Sequence, residues 1–429
     1  MPRLILLSAD ALMSEDIPYL ATLPNYKKYL DGCAQVFPVH SIYPTLTYPC
    51  HATLITGQYP ESHGVVNNSR LAPGHAPTPW VWERDYGRCP LDLFTQARRA
   101  GLRTASVFWP TTGHHPAVDY LIPEYWPQEK GETLEQAMAS MGSTPEVVSV
   151  LREMRKGRNP AQHPEADDFA IDCACELLRR FQPEVLAVHP VNIDEARHRY
   201  GVHNDKVEEA IRQIDGYIGQ ICRVLEALGL LQETAFVLTS DHGQRTIRQQ
   251  VRLNALLRQA GFITCSETGA LLSWDVWALS GGMSGLLFMR NPQDREMHAR
   301  LDAWLSALPM HQYGISACMN EQSSRLRDHL GGPFSYVLEA ADGTSFSDSI
   351  LFPVVSSLPS EPGYSRATHG YHPSKGPHPV FLAKGPGIRE DIRLSSARLV
   401  DIAPTLAAIL GCSLPRTAGS ILPIFSEKG

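Results

Sequence analysis

Residues 1–12 read "MPRLILLSADAL". Four apolar residues, Leu4 to Leu7, run without interruption and end at Ser8-Ala9-Asp10. A run this short and this continuous suits a strand buried on both faces, because neither face needs polar residues. Similar runs recur in "TASVFW" (104–109), "EVLAVHP" (184–190), "AFVLTS" (235–240) and "HPVFLAKGP" (378–386). Helical patterns lie between them. Val207, Ile211, Ile214, Ile218, Ile221, Leu225 and Leu228 keep steps of three and four, which predicts an amphipathic helix over 205–229 ending at Gly229. Residues 91–101 and 249–261 also read as helices that end in glycine. Strand–helix alternation predicts an α/β fold, a mostly parallel sheet sandwiched by helices.

The rhythm breaks over 262–360. "GGMSGLLFMRN" followed by "DREMHARLDAWLSAL" reads as strand then helix, and "FSYVLEAADG" as a further strand and turn. We therefore divide the chain into a core, residues 1–261 and 361–429, and a smaller α+β insertion over 262–360. Residues 353–365 read as a loop returning to the main sheet, and 143–168, polar and rich in proline, as a surface excursion. At 429 residues with 43% apolar and 19% charged residues, the composition is that of a globular protein. A net charge of −7 argues against a general nucleic-acid binder, so no nucleic-acid polymer is expected as a partner. No run of about 18 apolar residues predicts a membrane span. The N-terminus reads as a buried strand rather than a secretory signal. The cysteines, without a CxxC pair, read as free thiols of a reducing compartment, so a cytoplasmic location is the expectation.

Acids and histidines fall where an α/β sheet collects ligands, at the carboxyl ends of strands. Asp10 ends the first run. Asp194 and His198, in "NIDEARHRYG", follow the 184–190 run and share a face if helical. Asp241-His242-Gly243 ends "FVLTS", and His369 stands in "ATHGYHP" before the last run. Each alone has a plain structural reading: a helix cap, a surface ion pair, a turn, a buried histidine bonded to backbone. Together, three Asp and three His brought to one place would be costly without cations, and their nitrogen and carboxylate atoms suit two zinc-like ions.

The ordered set Asp10, Thr47, Asp194, His198, Asp241-His242 and His369 resembles the alkaline phosphatase superfamily and, within it, the nucleotide pyrophosphatase/phosphodiesterase family in a bacterial-type form. The resemblance runs from residue 4 to about 425 and includes "DIAPTLAAILG" at 401–411. It implies an alkaline phosphatase-like fold and a nucleophile in the Thr47-Tyr48-Pro49 triplet of "IYPTLTYPCHATLITGQYPESHGVVNN" (42–68). Thr45 competes. Counting from Gly57 by the spacing of the related sulfatases favours Thr47, and the lack of Cys or Ser there, with His51 where sulfatases carry Arg, argues against a sulfatase. The resemblance assigns Asp194, His198 and His369 to one divalent ion and Asp10, Thr47, Asp241 and His242 to the other, with zinc the expected metal. Asn68 becomes a donor to a phosphate oxygen, with Asn67 as the alternative.

What this implies is a two-zinc phosphodiesterase or nucleotide pyrophosphatase acting through a phosphothreonine intermediate on a small-molecule phosphate diester or nucleotide. Phosphonoacetate hydrolase and phosphomonoesterase of the same superfamily are the alternatives, and an inactive metal- or nucleotide-binding protein is the alternative of another class. A monoesterase would need an arginine clamp, for which only Arg70 stands near; phosphonoacetate would need lysines. For the substrate pocket we rank Tyr48, beside the nucleophile, and Trp109, from the aromatic-rich "VFWPTTGHHPAVDYLIPEYW" (107–126). Cys50 reads as packing and His51 as a supporting residue. The insertion is expected to cap the site or support a homo-oligomer.

Overall fold

A computed structural model describes residues 1–75, 78–86, 91–160, 162–358 and 365–426. The strand Arg3–Ser8 stands in the middle of an eight-stranded sheet. In order, the strands are Arg393–Leu394, Ala34–Val36, Phe381–Lys384, Thr234–Thr239, Arg3–Ser8, Val185–Val188, Thr104–Val107 and Tyr120–Ile122. The last five run parallel, with Leu4 opposite both Val185 and Ala235. Phe381–Lys384 runs antiparallel to both of its neighbours. The resulting architecture is the alkaline phosphatase-like α/β sandwich.

The apolar run at 4–7 has a direct physical cause. Ile5 and Leu7 join one apolar cluster with the helices Glu165–Phe181 and Asp205–Ala227. Leu4 and Leu6 join the opposite cluster with the helices Thr47–Thr56, Leu93–Arg99 and Ile402–Ile409. Successive side chains of a strand point to opposite faces, so covering both faces demands an uninterrupted run. The Asp205–Ala227 helix begins where the Asn204 side chain accepts from the Lys206 and Val207 N–H groups, and it stops before Gly229 at φ 69°.

The structure corrects three local readings. Residues 143–168 are not a mere surface excursion: the helix Pro145–Arg155 buries Val147, Val150 and Leu151 in the core, one stripe at helical spacing between polar flanks. Residues 249–261 are a strand, Arg245–Arg252, followed by a shorter helix, Leu253–Gln259. The 353–365 segment contains a short strand, Val355–Ser357, paired with Arg245–Arg252, while 359–364 lie outside the described residues.

The second unit holds a four-stranded antiparallel sheet of Val276–Gly281, Ser284–Met289, Tyr336–Ala340 and Ile315–Asn320. Its apolar cluster includes Val251, Leu253, Leu256 and Leu257 along with Phe262 and Leu301. The boundary expected at 262 thus cuts through that cluster, because Arg245–Arg252 and the helix after it pack with the insertion. Among the described residues no helix is long and apolar enough to cross a membrane.

Candidate active site

The parallel strands Arg3–Ser8, Val185–Val188 and Thr234–Thr239 deliver three loops to one edge of the sheet. Asp10 follows the first. Asp194 and His198 sit four apart on the helix Asn192–Tyr200, which follows the second, and Asp241-His242 follow the third. His369 comes from the segment after Ala367–Thr368. Two groups result: Asp194, His198 and His369, and Asp10, Asp241 and His242, the ligand-capable atoms of each lying within 4.8 Å of one another.

Hydrogen bonds fix the ring nitrogens. His198 Nδ1 donates to the Ala367 carbonyl at 2.8 Å, His369 Nδ1 to the Thr45 carbonyl at 3.0 Å and His242 Nδ1 to its neighbour Gly243 at 3.2 Å. A carbonyl can only accept, so in the neutral rings the three Nε2 atoms keep lone pairs. Those lone pairs face carboxylates: His198 Nε2 is 3.3 Å and His369 Nε2 3.9 Å from Asp194, and His242 Nε2 is 3.2 Å from Asp241 and 3.6 Å from Asp10. Asp10 Oδ1 and Asp241 Oδ2 are buried with no hydrogen-bond partner among the described residues.

The electrostatics agree. Burial, with Asp241 and Asp194 adding repulsion, pushes the Asp10 carboxyl well above the usual carboxylate range. Burial likewise pushes Asp241 up to about 8. Burial, reinforced by His369, holds His242 well below the ordinary imidazole value, and burial takes His369 down to about 4. Asp194 is held low despite its burial, since His198 and His369 flank it; burial acts against His198, but Asp194 raises it on balance. In the Asp10 group acceptor is set against acceptor with orphaned carboxylate oxygens, and in the Asp194 group one carboxylate gathers two imidazoles; each is a nitrogen-and-carboxylate set that fits a divalent cation.

Thr47 opens the helix Thr47–Thr56, and Leu46 before it offers no capping side chain. Thr47 Oγ lies 3.2 Å from His242 Nε2. The rival Thr45 is committed elsewhere: its hydroxyl donates to the Tyr371 carbonyl at 2.9 Å and accepts from the Gly370 N–H. The two asparagines separate in the same way. Asn67 bonds to the Ser280 carbonyl and the Ser69 N–H, while Asn68 Oδ1 accepts from the Tyr48 N–H at 2.9 Å and its side chain lines the site cavity. Holding the carbonyl end leaves the Asn68 amide nitrogen as a donor. His51 is buried between the Thr47 carbonyl and Ser8 Oγ, and the Cys50 thiol is pushed well up by burial. Both tie the helix to the sheet.

The cavity encloses about 400 Å³ and joins Asp10, Thr47, Asn68, Asp194, His198 and His369 to aromatic walls. Tyr48 lines it and meets Trp80 edge-on at 5.3 Å. Trp109 does not line it. That ring is fully buried in the core, edge-on to His51 at 4.8 Å, so its placement in the substrate pocket is corrected: it supports the helix that Thr47 opens from behind. The aromatic walls are Trp80, Trp82, Phe108 and Trp126. Sequence reasoning also missed His189, whose Nε2 lies 3.1 Å from Asp10 Oδ2, and Gln244, which donates to the Asp194 carbonyl at 2.9 Å. The strand-end rule that found Asp10 reaches His189 as well, since it directly follows Val185–Val188. Nothing local marks Trp80 or Trp82, which arrive by a long loop.

The insertion reaches this site through one hairpin tip. Met283 N–H donates to the His369 carbonyl at 2.8 Å. Gly282, at φ +67°, leaves no room: a Cβ there would lie 2.5 Å from that same carbonyl oxygen.

The family model for type I phosphodiesterase/nucleotide pyrophosphatase matches residues 4–313. The chain belongs to that family. Mouse bis(5'-adenosyl)-triphosphatase is 23% identical over 428 residues, covering 96% of this chain and 78% of that protein. Human ectonucleotide pyrophosphatase/phosphodiesterase family member 1 is 24% identical over 268 residues, and the match spans only 25% of its length. Among solved structures, murine ectonucleotide pyrophosphatase/phosphodiesterase 5 superposes with a TM-score of 0.67 at 17% identity, covering 98% of both chains. That likeness establishes the shared fold.

Proposed function

We propose that this protein is a phosphodiesterase or nucleotide pyrophosphatase that uses two divalent cations, zinc being the expected pair, and passes through a phosphothreonine. The observation that carries the reading is the hydroxyl Thr47 Oγ beside two triads of imidazoles and carboxylates, of which Asp10 Oδ1 and Asp241 Oδ2 are buried with no partner among the described residues. Asp194, His198 and His369 would hold one cation and Asp10, Asp241 and His242 the other. Bound there, the cations would neutralise the carboxylates, lower the pKa of the hydroxyl and polarise the phosphoryl group. Thr47 Oγ, losing its proton, forms the new bond to phosphorus as the ester oxygen departs opposite to become an alcohol, and water then attacks the phosphothreonine, its oxygen bonding to phosphorus as Thr47 Oγ leaves and regains a proton. Asn68, oriented by the Tyr48 N–H, donates to a non-bridging oxygen at the start of the helix. His189 steadies Asp10, and Gln244 steadies Asp194.

The cavity lining contains no arginine or lysine among the described residues, and Arg70 points outward to pair with Glu83 at 3.4 Å. This supports a diester over a monoester, whose extra charge needs a cationic clamp, and over phosphonoacetate, whose carboxylate needs one too. A murine relative solved in complex with AMP supports a nucleotide as the substrate. The test is a comparison of nitrophenyl esters. We expect kcat/KM for a p-nitrophenyl nucleotide diester to exceed that for p-nitrophenyl phosphate by about tenfold or more, the worth of one charge-assisted contact. The reverse order would make the protein a monoesterase.

The hairpin tip gives a second expectation. Gly282→Ala should displace the His369 backbone and weaken the cation held with Asp194 and His198 by about 10- to 100-fold, the usual effect of disturbing a ligand's support. Metal content per chain after dialysis should fall toward one, and added zinc should restore activity. Two tightly held ions in the variant would show that the insertion does not support this ligand.

A further inference from the structure

One imidazole on the cavity wall has no part in any step above. His163 precedes the helix Glu165–Phe181 and lines both the site cavity and a smaller recess of about 180 Å³, which Asn192, Glu195 and Ala196 also line. Its Nδ1 donates to Asp167 Oδ2 at 2.9 Å, and the other oxygen of that buried carboxylate accepts from the Val191 N–H at 2.8 Å. The ring is thereby pinned beside the first turn of the helix that carries Asp194 and His198. Its Nε2 has no hydrogen-bond partner among the described residues. The other acid–base groups of the lining are committed. His198 and His369 face Asp194, His189 spends Nδ1 on the Phe108 carbonyl and Nε2 on Asp10, and Glu124 and Tyr48 are engaged with each other.

We propose that His163 is a catalytic acid–base residue whose Nε2 gives a proton to the leaving oxygen and then takes one from the attacking water. The proposal rests on the phosphodiesterase reading above and names the ester class within it: diesters whose leaving oxygen is a basic phenoxide or alkoxide. Position comes first. Thr47 Oγ abuts His242, in the Asp10 group, whereas His163 stands by Glu195, next to Asp194 in the other group, where an oxygen departing opposite Thr47 emerges. In the first step the Thr47 Oγ–P bond forms, the P–O bond to the leaving group breaks, and that oxygen takes the Nε2 proton, leaving a neutral imidazole; the threonine proton passes to solvent. In the second step water enters from the same side, gives one proton to Nε2 as its oxygen bonds to phosphorus, and Thr47 Oγ leaves and is reprotonated from solvent. Asp167 is the positioning residue: it fixes the tautomer and stabilises the imidazolium. Burial acts against the charged ring, but Asp167, with Glu195 and Glu124 adding, raises it above its ordinary value on balance, so the acid form is well populated at neutral pH. His189 is the imidazole that faces it from the Asp10 side.

The experiment compares kcat/KM for the phenyl and p-nitrophenyl esters of thymidine 5'-monophosphate. Phenoxide is basic and needs the proton as it leaves; p-nitrophenolate is a stable anion and needs it far less. In His163→Gln the loss for the phenyl ester should exceed the loss for the p-nitrophenyl ester by about tenfold or more, part of the ~100-fold or more that a positioned proton donor contributes. In the parent the phenyl to p-nitrophenyl ratio should fall as the imidazolium deprotonates between about pH 6 and about pH 9, and in His163→Gln it should not. Taking the ratio cancels titrations that both esters share. Equal losses for the two esters, as a packing or charge-binding role would give, would overturn the assignment, and so would a flat ratio in the parent, a reading that needs no variant. Failure of the parent protein to hydrolyse either ester would instead overturn the phosphodiesterase reading itself.

Discussion

Thr47→Ala is expected to lower kcat for diester hydrolysis by at least about three orders of magnitude, the usual loss when a covalent nucleophile is removed. Thr47 Oγ is the hydroxyl that touches His242 Nε2, at 3.2 Å, and the neighbouring Thr45 cannot substitute, because both its donor and its acceptor are spent on Tyr371 and Gly370. The alanine variant should still fold and still bind metal: Asp10, Asp241 and His242 remain, and an N1 position tolerates alanine. Thr47→Ser keeps the hydroxyl and should retain activity within about 100-fold of the parent, at a cost in positioning of the kind a small misplacement brings. Acid-quenched parent protein should carry one phosphoryl group by intact mass, absent from the alanine variant. Turnover by Thr47→Ala within tenfold of the parent would remove the phosphothreonine from the mechanism.

The residues that gather at the sheet edge were legible because each obeys a local rule with a physical cause. Asp10 and Asp241-His242 end strands buried on both faces, so the apolar run itself points to the acid. Asp194 and His198 share a helical face by spacing alone. His369 became a candidate only by its place before the last apolar run, and nothing in "ATHGYHP" announces that its ring meets Asp194. What could not be read depends on side-chain direction. Trp109 and Phe108 are neighbours near a strand end, yet Phe108, at φ 54°, faces the cavity and Trp109 the core. Aromatic residues are enriched in cores and pockets alike, so composition does not choose between them. The helix Pro145–Arg155 was hidden for a related reason: its stripe of three buried residues is short beside the polar flanks. The roles of His163, Trp80 and Trp82 rest on contacts between segments far apart in the chain, which no local pattern carries.

Chelation should abolish activity and also make stability depend on pH in a particular direction. Without metal, the folded protein holds Asp10 and Asp241 in forms that resist ionisation, Asp241 titrating near 8. A group whose folded pKa is raised contributes stability in full below its unfolded value, near 4 for a carboxyl, and loses it as pH rises through the folded pKa. The two carboxyls therefore withdraw on the order of a few kcal/mol between about pH 4 and pH 8, while His242 and His369, held below the imidazole value, add stability as pH rises to about 6.5, so the net fall of the chelated protein belongs to the range above about pH 6.5. Asp194 works the other way: its lowered pKa contributes stability that is complete at neutral pH and is lost only in acid. His198, raised by Asp194, adds stability that fades as pH rises through its folded value, in the same sense as the two carboxyls. Bound cations reverse the balance at high pH, since ionised carboxylates and neutral imidazoles are the forms they bind, and they stabilise the folded state by mass action. The gap in Tm between holo and chelated protein should thus be widest at pH 8, roughly 10 °C or more, and narrow by pH 5, as read by scanning calorimetry. Zinc added back at pH 8 should restore both Tm and diesterase activity. A chelated protein whose Tm rises from pH 6.5 to pH 8, or equals that of the holo form at pH 8, would mean that Asp10 and Asp241 do not share a cation.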